Sequence, residues 1–319
     1  MAHFDVFNGD ADGICALHQL RLEDPRASDL ITGVKRDIAL LGRVPAQAGD
    51  AVTVLDISID VNRAPLLALL QRGVSILYFD HHGSGQVTPH PALDAHIEPL
   101  PGTCTSTLVD RWLGGRRRPW AVVGAFGDNM GATARALAAT LWLDEGRTER
   151  LRVLGEALNY NGYGDSIEDL MIHPAELYRL LHAHTDPFGF IENEPICAKL
   201  VAGRQADMAA AHGTAALLER SQGRIVVLPD AAWSRRVRGS YGNELAVAQP
   251  QRAHAVLSPD RAGGYVVSVR APIDRPVGAD ALCQRFPGGG GRPAAAGINH
   301  LPADRLDAFA RAFEQAFCA

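Results

Sequence analysis

The sequence lacks any C-x-x-C pair. Its five cysteines, Cys15, Cys104, Cys197, Cys283 and Cys318, are scattered and odd in number. That pattern indicates neither a disulfide framework nor a zinc knuckle. Long hydrophobic runs are missing too: no apolar stretch reaches the roughly 18 residues that a membrane span needs. The start of the chain has no basic stretch and no signal-peptide core, so a cytoplasmic location is the expectation. There is no excess of positive charge. The formal net charge is −5, which argues against a general duplex binder with its strongly basic face. A local basic pocket for a small anion is compatible with that balance.

What remains describes an ordinary globular chain. Its 319 residues are 47% hydrophobic and 21% charged, with no internal repeat or low-complexity tail. The length favours two domains. In the first half, strand-like and helix-like segments alternate. Ile14, Leu17, Leu20 and Leu22 have roughly helical spacing, and Leu66, Leu67, Leu69 and Leu70 lie on another helix. Strands separated by helices imply βαβ units and a parallel sheet. Helices are expected over 132–143, 147–158, 166–171 and 175–184 as a cover for that sheet. A loop rich in Pro and Asn follows at 185–195, then an alanine-rich helical stretch over 197–219. Beyond it, strands are expected over 224–228, 254–257 and 265–270, and helices over 279–286 and 303–317. We therefore expect an α/β fold with a domain at 1–190, a connecting helix at 191–222 and a smaller α/β domain at 223–319.

Three apolar, β-like runs end in acid or imidazole. One enters Asn8-Gly9-Asp10-Ala11-Asp12-Gly13, one stops at Asp56, and one stops at Asp80-His81-His82. In an open α/β sheet, the carboxyl ends of parallel strands share one crevice, where ligands bind. Carboxylates packed there repel one another unless a cation sits among them. Asp10 and Asp12 can reach two different ions, Asp56 can bridge both, His81 offers an imidazole nitrogen, and Asp128 can complete the set. His82 can contact substrate. Carboxylate and imidazole donors without thiolate suit Mn²⁺, Mg²⁺ or Co²⁺ better than structural zinc. Asp10 and Asp12 taken alone also fit a plain turn, and Asp56 alone fits a helix cap.

These residues resemble the DHH phosphoesterase superfamily, which takes its name from the triplet seen here as Asp80-His81-His82. Asp10-Ala11-Asp12-Gly13 matches its first motif, Asp56 its second and Asp128 its fourth. The second domain resembles the DHHA1 module, whose glycine-rich signature is matched over 289–297. The resemblance implies a cleft between a DHH and a DHHA1 domain. It also implies hydrolysis of phosphodiester bonds with Mn²⁺, in two ions. Asp12, Asp56, His81 and Asp128 would hold one ion, Asp10 and Asp56 the other. Asp56 and His82 would be the catalytic residues. Arg270, Gly290, Gly291 and Arg292 would bind a distal phosphate. The family includes RecJ-type exonucleases, nano-RNases, cyclic-dinucleotide phosphodiesterases and pyrophosphatases.

Two departures stand out. Asn8 occupies a position where many members carry a His or Asp as a ligand of the second ion. It is either a weak ligand or a turn residue. Arg292 follows the glycines where the signature usually has His, and Arg can grip a phosphate bidentately. The expected substrate is a short oligonucleotide or small nucleotide, with no long duplex and no membrane partner, and a homodimer is compatible with the sequence. The different-class alternative is a nucleotide- or phosphate-binding regulatory protein with reduced or lost hydrolysis. Two stretches have open readings. The segment 159–165, with Tyr160 and Tyr163, is either a base-stacking loop or a helix cap. Arg235, Arg236 and Arg238 read as a solvated loop. Cys104 is a weak candidate nucleophile.

Overall fold

The computed structural model describes residues 1–318. The chain divides into two compact units, Met1–Ala202 and the remainder from Gly203. In the first unit, strands β1 (His3–Phe7), β2 (Asp29–Ile31), β3 (Ala51–Leu55), β4 (Ser75–Asp80) and β5 (Leu93–Ile97) form one sheet. Its order is β2-β1-β3-β4-β5 and every pairing is parallel.

Side chains alternate between the two faces of this sheet. Phe4, Val6, Val52, Val54, Ile76 and Tyr78 enter one core, which α2 (Ile59–Gln71) closes with Ile59, Leu66, Leu69 and Leu70. Phe7, Leu55 and Phe79 enter the opposite core. That face is covered by α1 (Ala11–Glu23), α3 (Thr105–Trp112), α4 (Arg118–Gly127), α5 (Gly131–Thr140), α6 (Glu145–Gly162), α7 (Pro174–His182) and α8 (Pro187–Asn193). Burial on both faces explains why β1, β3 and β4 read as nearly continuous apolar runs. Strand β5 is one edge of the sheet; its sequence, Leu-Asp-Ala-His-Ile, carries no such run and gave no strand signal.

Helix α9 (Pro195–His212) runs through the unit boundary. It is shorter than the 197–219 reading, because Ala216–Glu219 is strand β6. The second unit continues with β7 (Gly223–Val227), α10 (Ala232–Ala248), β8 (Ala253–Pro259), β9 (Gly264–Arg270), α11 (Ala279–Cys283), β10 (Gly289–Arg292), β11 (Ala295–Pro302) and α12 (Leu306–Phe317). Its sheet is mixed, in the order β10-β11-β9-β8-β7-β6. Phe309 and Phe313 of α12 pack with Val267, Val269 and Ile298 in its core.

The α/β class and the parallel N-terminal sheet are as expected. Three further local readings differ. Of 166–171 only Ile167–Asp169 is helical, as one 3₁₀ turn. The segment 159–162 is the buried end of α6, not a loop. Arg235, Arg236 and Arg238 lie on α10, where Arg236 pairs with Asp207 at 2.8 Å. No helix among the described residues is long and apolar enough to cross a membrane.

Candidate metal centre

The carboxyl ends of β1, β3 and β4 bring three aspartates and a histidine together, and the end of α4 adds a fourth aspartate. Asp10 follows β1 and caps α1: its Oδ1 accepts the backbone N–H groups of Asp12 at 3.0 Å and Gly13 at 3.1 Å. Gly13 is required here, because a Cβ at this position would stand 2.3 Å from the Asn8 carbonyl oxygen. Asp12, in the first turn of α1, is fully buried. Its two oxygens accept the N–H groups of Thr105 and Ser106, each at 2.7 Å, at the start of α3. Each oxygen keeps a second lone pair for another partner.

Asp56 follows β3 with φ of 60°, in the left-handed region. Its Oδ1 accepts the Thr105 hydroxyl at 3.0 Å. Asp128 caps the C-terminus of α4. His81 follows β4, and its Nε2 lies 3.3 Å from Asp56 Oδ1, 3.7 Å from Asp128 Oδ2 and 3.9 Å from Asp12 Oδ2. Donor atoms around one ion, each about 2.1 Å away, stand roughly 3–4 Å from one another. Asp12, His81 and Asp128 offer donors all within 4.8 Å of each other, and so do Asp56, His81 and His82. The donor chemistry and the spacing fit a divalent ion that favours oxygen and imidazole.

Electrostatics point the same way. Burial, then repulsion from Asp12, Asp10 and Asp128, pushes the Asp56 carboxyl well above the usual carboxylate range, although Lys35 opposes the shift. Asp128 is pushed up to about 6, first by burial and then by Asp12 and Asp10, against the pull of Lys35 and His81. Crowded carboxylates that resist ionisation are the mark of a site short of positive charge.

The other expected residues fall as follows. Asn8 is 4% exposed; its side-chain oxygen accepts the Asp10 N–H at 3.3 Å and its amide group donates to the Lys35 carbonyl at 3.2 Å. Asp80 holds His82: Nδ1 lies 2.7 Å from Asp80 Oδ1, and this hydrogen bond raises the imidazole pKa. In the second unit, Arg270 of β9, Ala295 of β11 and Arg292 of β10 are in register, so the two arginines share a rung. Arg270 donates to Asn243 Oδ1 at 2.6 Å. Gly290 and Gly291 belong to β10, the edge strand of its sheet. An edge strand keeps backbone groups open on its outer side. Gly291 has φ of 142°, and a Cβ there would stand 2.5 Å from Ala296 Cα. Tyr160 is buried and offers no stacking face. Cys104 is buried at the start of α3, and burial together with Asp12 pushes its thiol far up, which removes it as a nucleophile.

Sequence reasoning missed Lys35. It lies in the segment between β2 and β3, with no motif around it. Its ammonium stands 2.6 Å from Asp10 Oδ2, 3.3 Å from Asp128 Oδ1 and 3.1 Å from Asn159 Oδ1. It also lies 5.5 Å from the centre of the Tyr163 ring. Burial works against its charge, but Asp10, Tyr163 and Asp128 hold its pKa well above the ordinary lysine value. One signal was available: only Lys35 and Lys199 are lysines, and every other basic side chain counted with them is arginine.

No family model matches the sequence. No curated protein sequence matches it either. Solved structures do. Exonuclease RecJ bound to manganese matches with a TM-score of 0.65 at 19% identity, over 99% of this chain and 90% of that one. RecJ from Thermus thermophilus in complex with Mn²⁺ matches at 0.62 and 20% identity, over 98% of this chain and 51% of that one, so this chain spans about half of it. The pGpG-specific phosphodiesterase PggH from Vibrio cholerae matches at 0.55 and 15% identity, over 98% and 97%. At these identities the likeness is one of fold. It defines a class of architecture: the α/β fold of the RecJ structures, with a parallel sheet in the first unit and a mixed sheet in the second.

Proposed function

We propose that this protein is a divalent-metal-dependent phosphoesterase that hydrolyses phosphodiester bonds of short oligonucleotides or related small nucleotides. The observation that carries the reading is the convergence of Asp12, Asp56, Asp128 and His81 at one point. The likeness in fold to manganese-bound RecJ and to PggH supports it. Asp12, Asp56, His81 and Asp128 would hold the ion, with Mn²⁺ favoured and Mg²⁺ or Co²⁺ compatible. When bound, such an ion supplies Lewis acidity at a phosphoryl oxygen and acidifies coordinated water.

The chain's own residues do the rest. Thr105 and the N-terminus of α3 orient Asp56 and Asp12 through hydrogen bonds made before any ligand arrives. Asp80 fixes the His82 ring and favours its protonated form, so Nε2 is set to donate to a phosphoryl oxygen and to steady developing negative charge. Arg270, Gly290, Gly291 and Arg292 are the proposed anion-binding residues of the second unit, with Arg292 exposed. The net charge of −5 favours short substrates over long duplex.

A second reading, a nucleotide-binding regulatory protein with reduced hydrolysis, is favoured by Asn8, whose amide serves the backbone instead of offering a charged ligand. One assay separates the two. The protein is stripped with chelator, reloaded with Mn²⁺ and incubated with labelled dinucleotides, short RNA, short single-stranded DNA, nucleoside 3′,5′-bisphosphate and cyclic dinucleotide. Metal-dependent release of mononucleotide or phosphate is expected. Inactivity of metal-loaded protein across the panel, with nucleotide still bound, would favour the regulatory reading.

A further inference from the structure

Asp128 offers one oxygen to each of two cation positions. Its Oδ2 faces His81 Nε2 at 3.7 Å, on the side where Asp12 and Asp56 converge. Its Oδ1 faces the Lys35 ammonium at 3.3 Å, on the side of Asp10. An ammonium has three donors, and three oxygens meet it here: Asp10 Oδ2, Asp128 Oδ1 and Asn159 Oδ1. The Lys35 group is thus fully satisfied at a point bounded by two carboxylates. Asp10 Oδ1 accepts the N–H groups of Asp12 and Gly13, and Oδ2 accepts the ammonium, so both oxygens already carry a partner.

The backbone around Lys35 is built to hold it there. Its N–H donates to the Gly162 carbonyl at 2.7 Å, and its own carbonyl accepts from Asn8 at 3.2 Å. The loop approaches so closely that a Cβ on Gly9 would stand 2.0 Å from the Gly33 oxygen. Asn8 and Lys35 are therefore one device: Asn8, a neutral residue next to the first acidic motif, anchors the segment carrying the ammonium. The choice of side chain is independent support. In a chain whose basic residues are almost all arginine, a lysine stands here. Its compact point charge suits a space that a planar guanidinium fork does not. A second divalent ion next to that half-buried ammonium would meet repulsion from a like charge held among carboxylates.

We infer that Lys35 takes the place of the second metal ion, so that the centre binds one divalent ion rather than two, with its ammonium supplying the other positive charge between Asp10 and Asp128. This rests on the reading of Asp12, Asp56, His81 and Asp128 as metal ligands, and it replaces the expectation that Asp10 and Asp56 hold a second ion.

The test is metal stoichiometry. Chelator-treated wild-type protein and the variants Lys35→Met and Lys35→Ala are titrated with MnCl₂ by calorimetry. Bound Mn²⁺ is then examined by electron paramagnetic resonance, with circular dichroism as the check on folding. The expected result is one tightly held Mn²⁺ with an isolated-ion spectrum in wild type, and a second ion with a magnetically interacting pair in the variants. Two interacting ions in wild type would overturn the inference while leaving the metal-site reading intact. Folded variants that still bind one ion would overturn it as well. If neither variant folds, the wild-type stoichiometry and spectrum decide alone. No Mn²⁺ bound by wild type would refute the metal-site reading itself, and the inference with it.

Discussion

Asp56 is the residue at which stability and function conflict most. It is buried, adopts φ of 60° and sits among three other aspartates that push its pKa up. Asn keeps its shape, tolerates the left-handed backbone and removes the like charge. Asp56→Asn is therefore expected to lower metal-dependent turnover by about a thousandfold or more. The same change should raise the melting temperature of metal-free protein by roughly a few degrees. Thermal unfolding with chelator, set beside single-turnover assays with Mn²⁺, measures both. A variant less stable than wild type without metal would contradict the account of crowded charge. The same scale shows what could be read locally. Asp10, Asp12, Asp56, His81 and Asp128 each follow an apolar run or sit in a tight motif. Lys35 follows neither, and its partners Asp10, Asp128 and Asn159 lie far off in sequence.

At the scale of elements, glycines set how closely the helical layer packs. A Cβ on Gly155 of α6 would stand 2.3 Å from the Val123 carbonyl oxygen and 2.9 Å from the Gly127 nitrogen, both in α4. Alanine is the better helix former by about 1 kcal/mol, but these contacts are backbone and cannot yield as a flexible side chain would. Gly155→Ala is therefore expected to destabilise the protein by roughly 1–3 kcal/mol, measured by urea unfolding. A stabilised variant would show that α4 and α6 can part at little cost. The 159–165 segment shows why its reading was ambiguous. Asn, Tyr and Gly are loop-like in composition, but Asn161 is satisfied inside the fold: its oxygen accepts from Met171 and Ile172, and its amide donates to the Ile172 carbonyl. Long-range hydrogen bonds overrode the local preference. Conversely, 216–219 continued an alanine-rich helical pattern until pairing with β7 made it a strand.

For the whole molecule, pH acts through buried groups both inside and outside the metal centre. His18 of α1 is buried against Trp120, with Nε2 at 2.9 Å from the His184 carbonyl and Nδ1 at 3.2 Å from His182. Burial, then His182, lowers its pKa to about 3. A folded pKa below the unfolded value of 6.5 means that the unfolded chain takes up the proton first. The stability this group contributes is complete above 6.5 and is lost as pH falls toward 3. Asp128 at about 6 acts in the opposite sense in metal-free protein, since its raised pKa lets the folded state bind the proton first. The test is therefore comparative. Relative to His18→Gln, wild type should lose about 1.4 kcal/mol per pH unit across that window, as read from urea midpoints at several pH values. Equal slopes in the two proteins would show that His18 is not held neutral.

The sequence by itself determined the alternation of strands and helices, the parallel sheet, and the acids and imidazoles placed at strand ends. These follow from side-chain periodicity and from residues adjacent along the chain, where apolar burial dictates local structure. Only the tertiary structure decided that Asn8 anchors a loop and that an ammonium lies between Asp10 and Asp128. That placement depends on the path of a segment without regular periodicity, docked by backbone hydrogen bonds to Asn8 and Gly162. Contacts of this kind are set by distance in space, and no local pattern of residues encodes them.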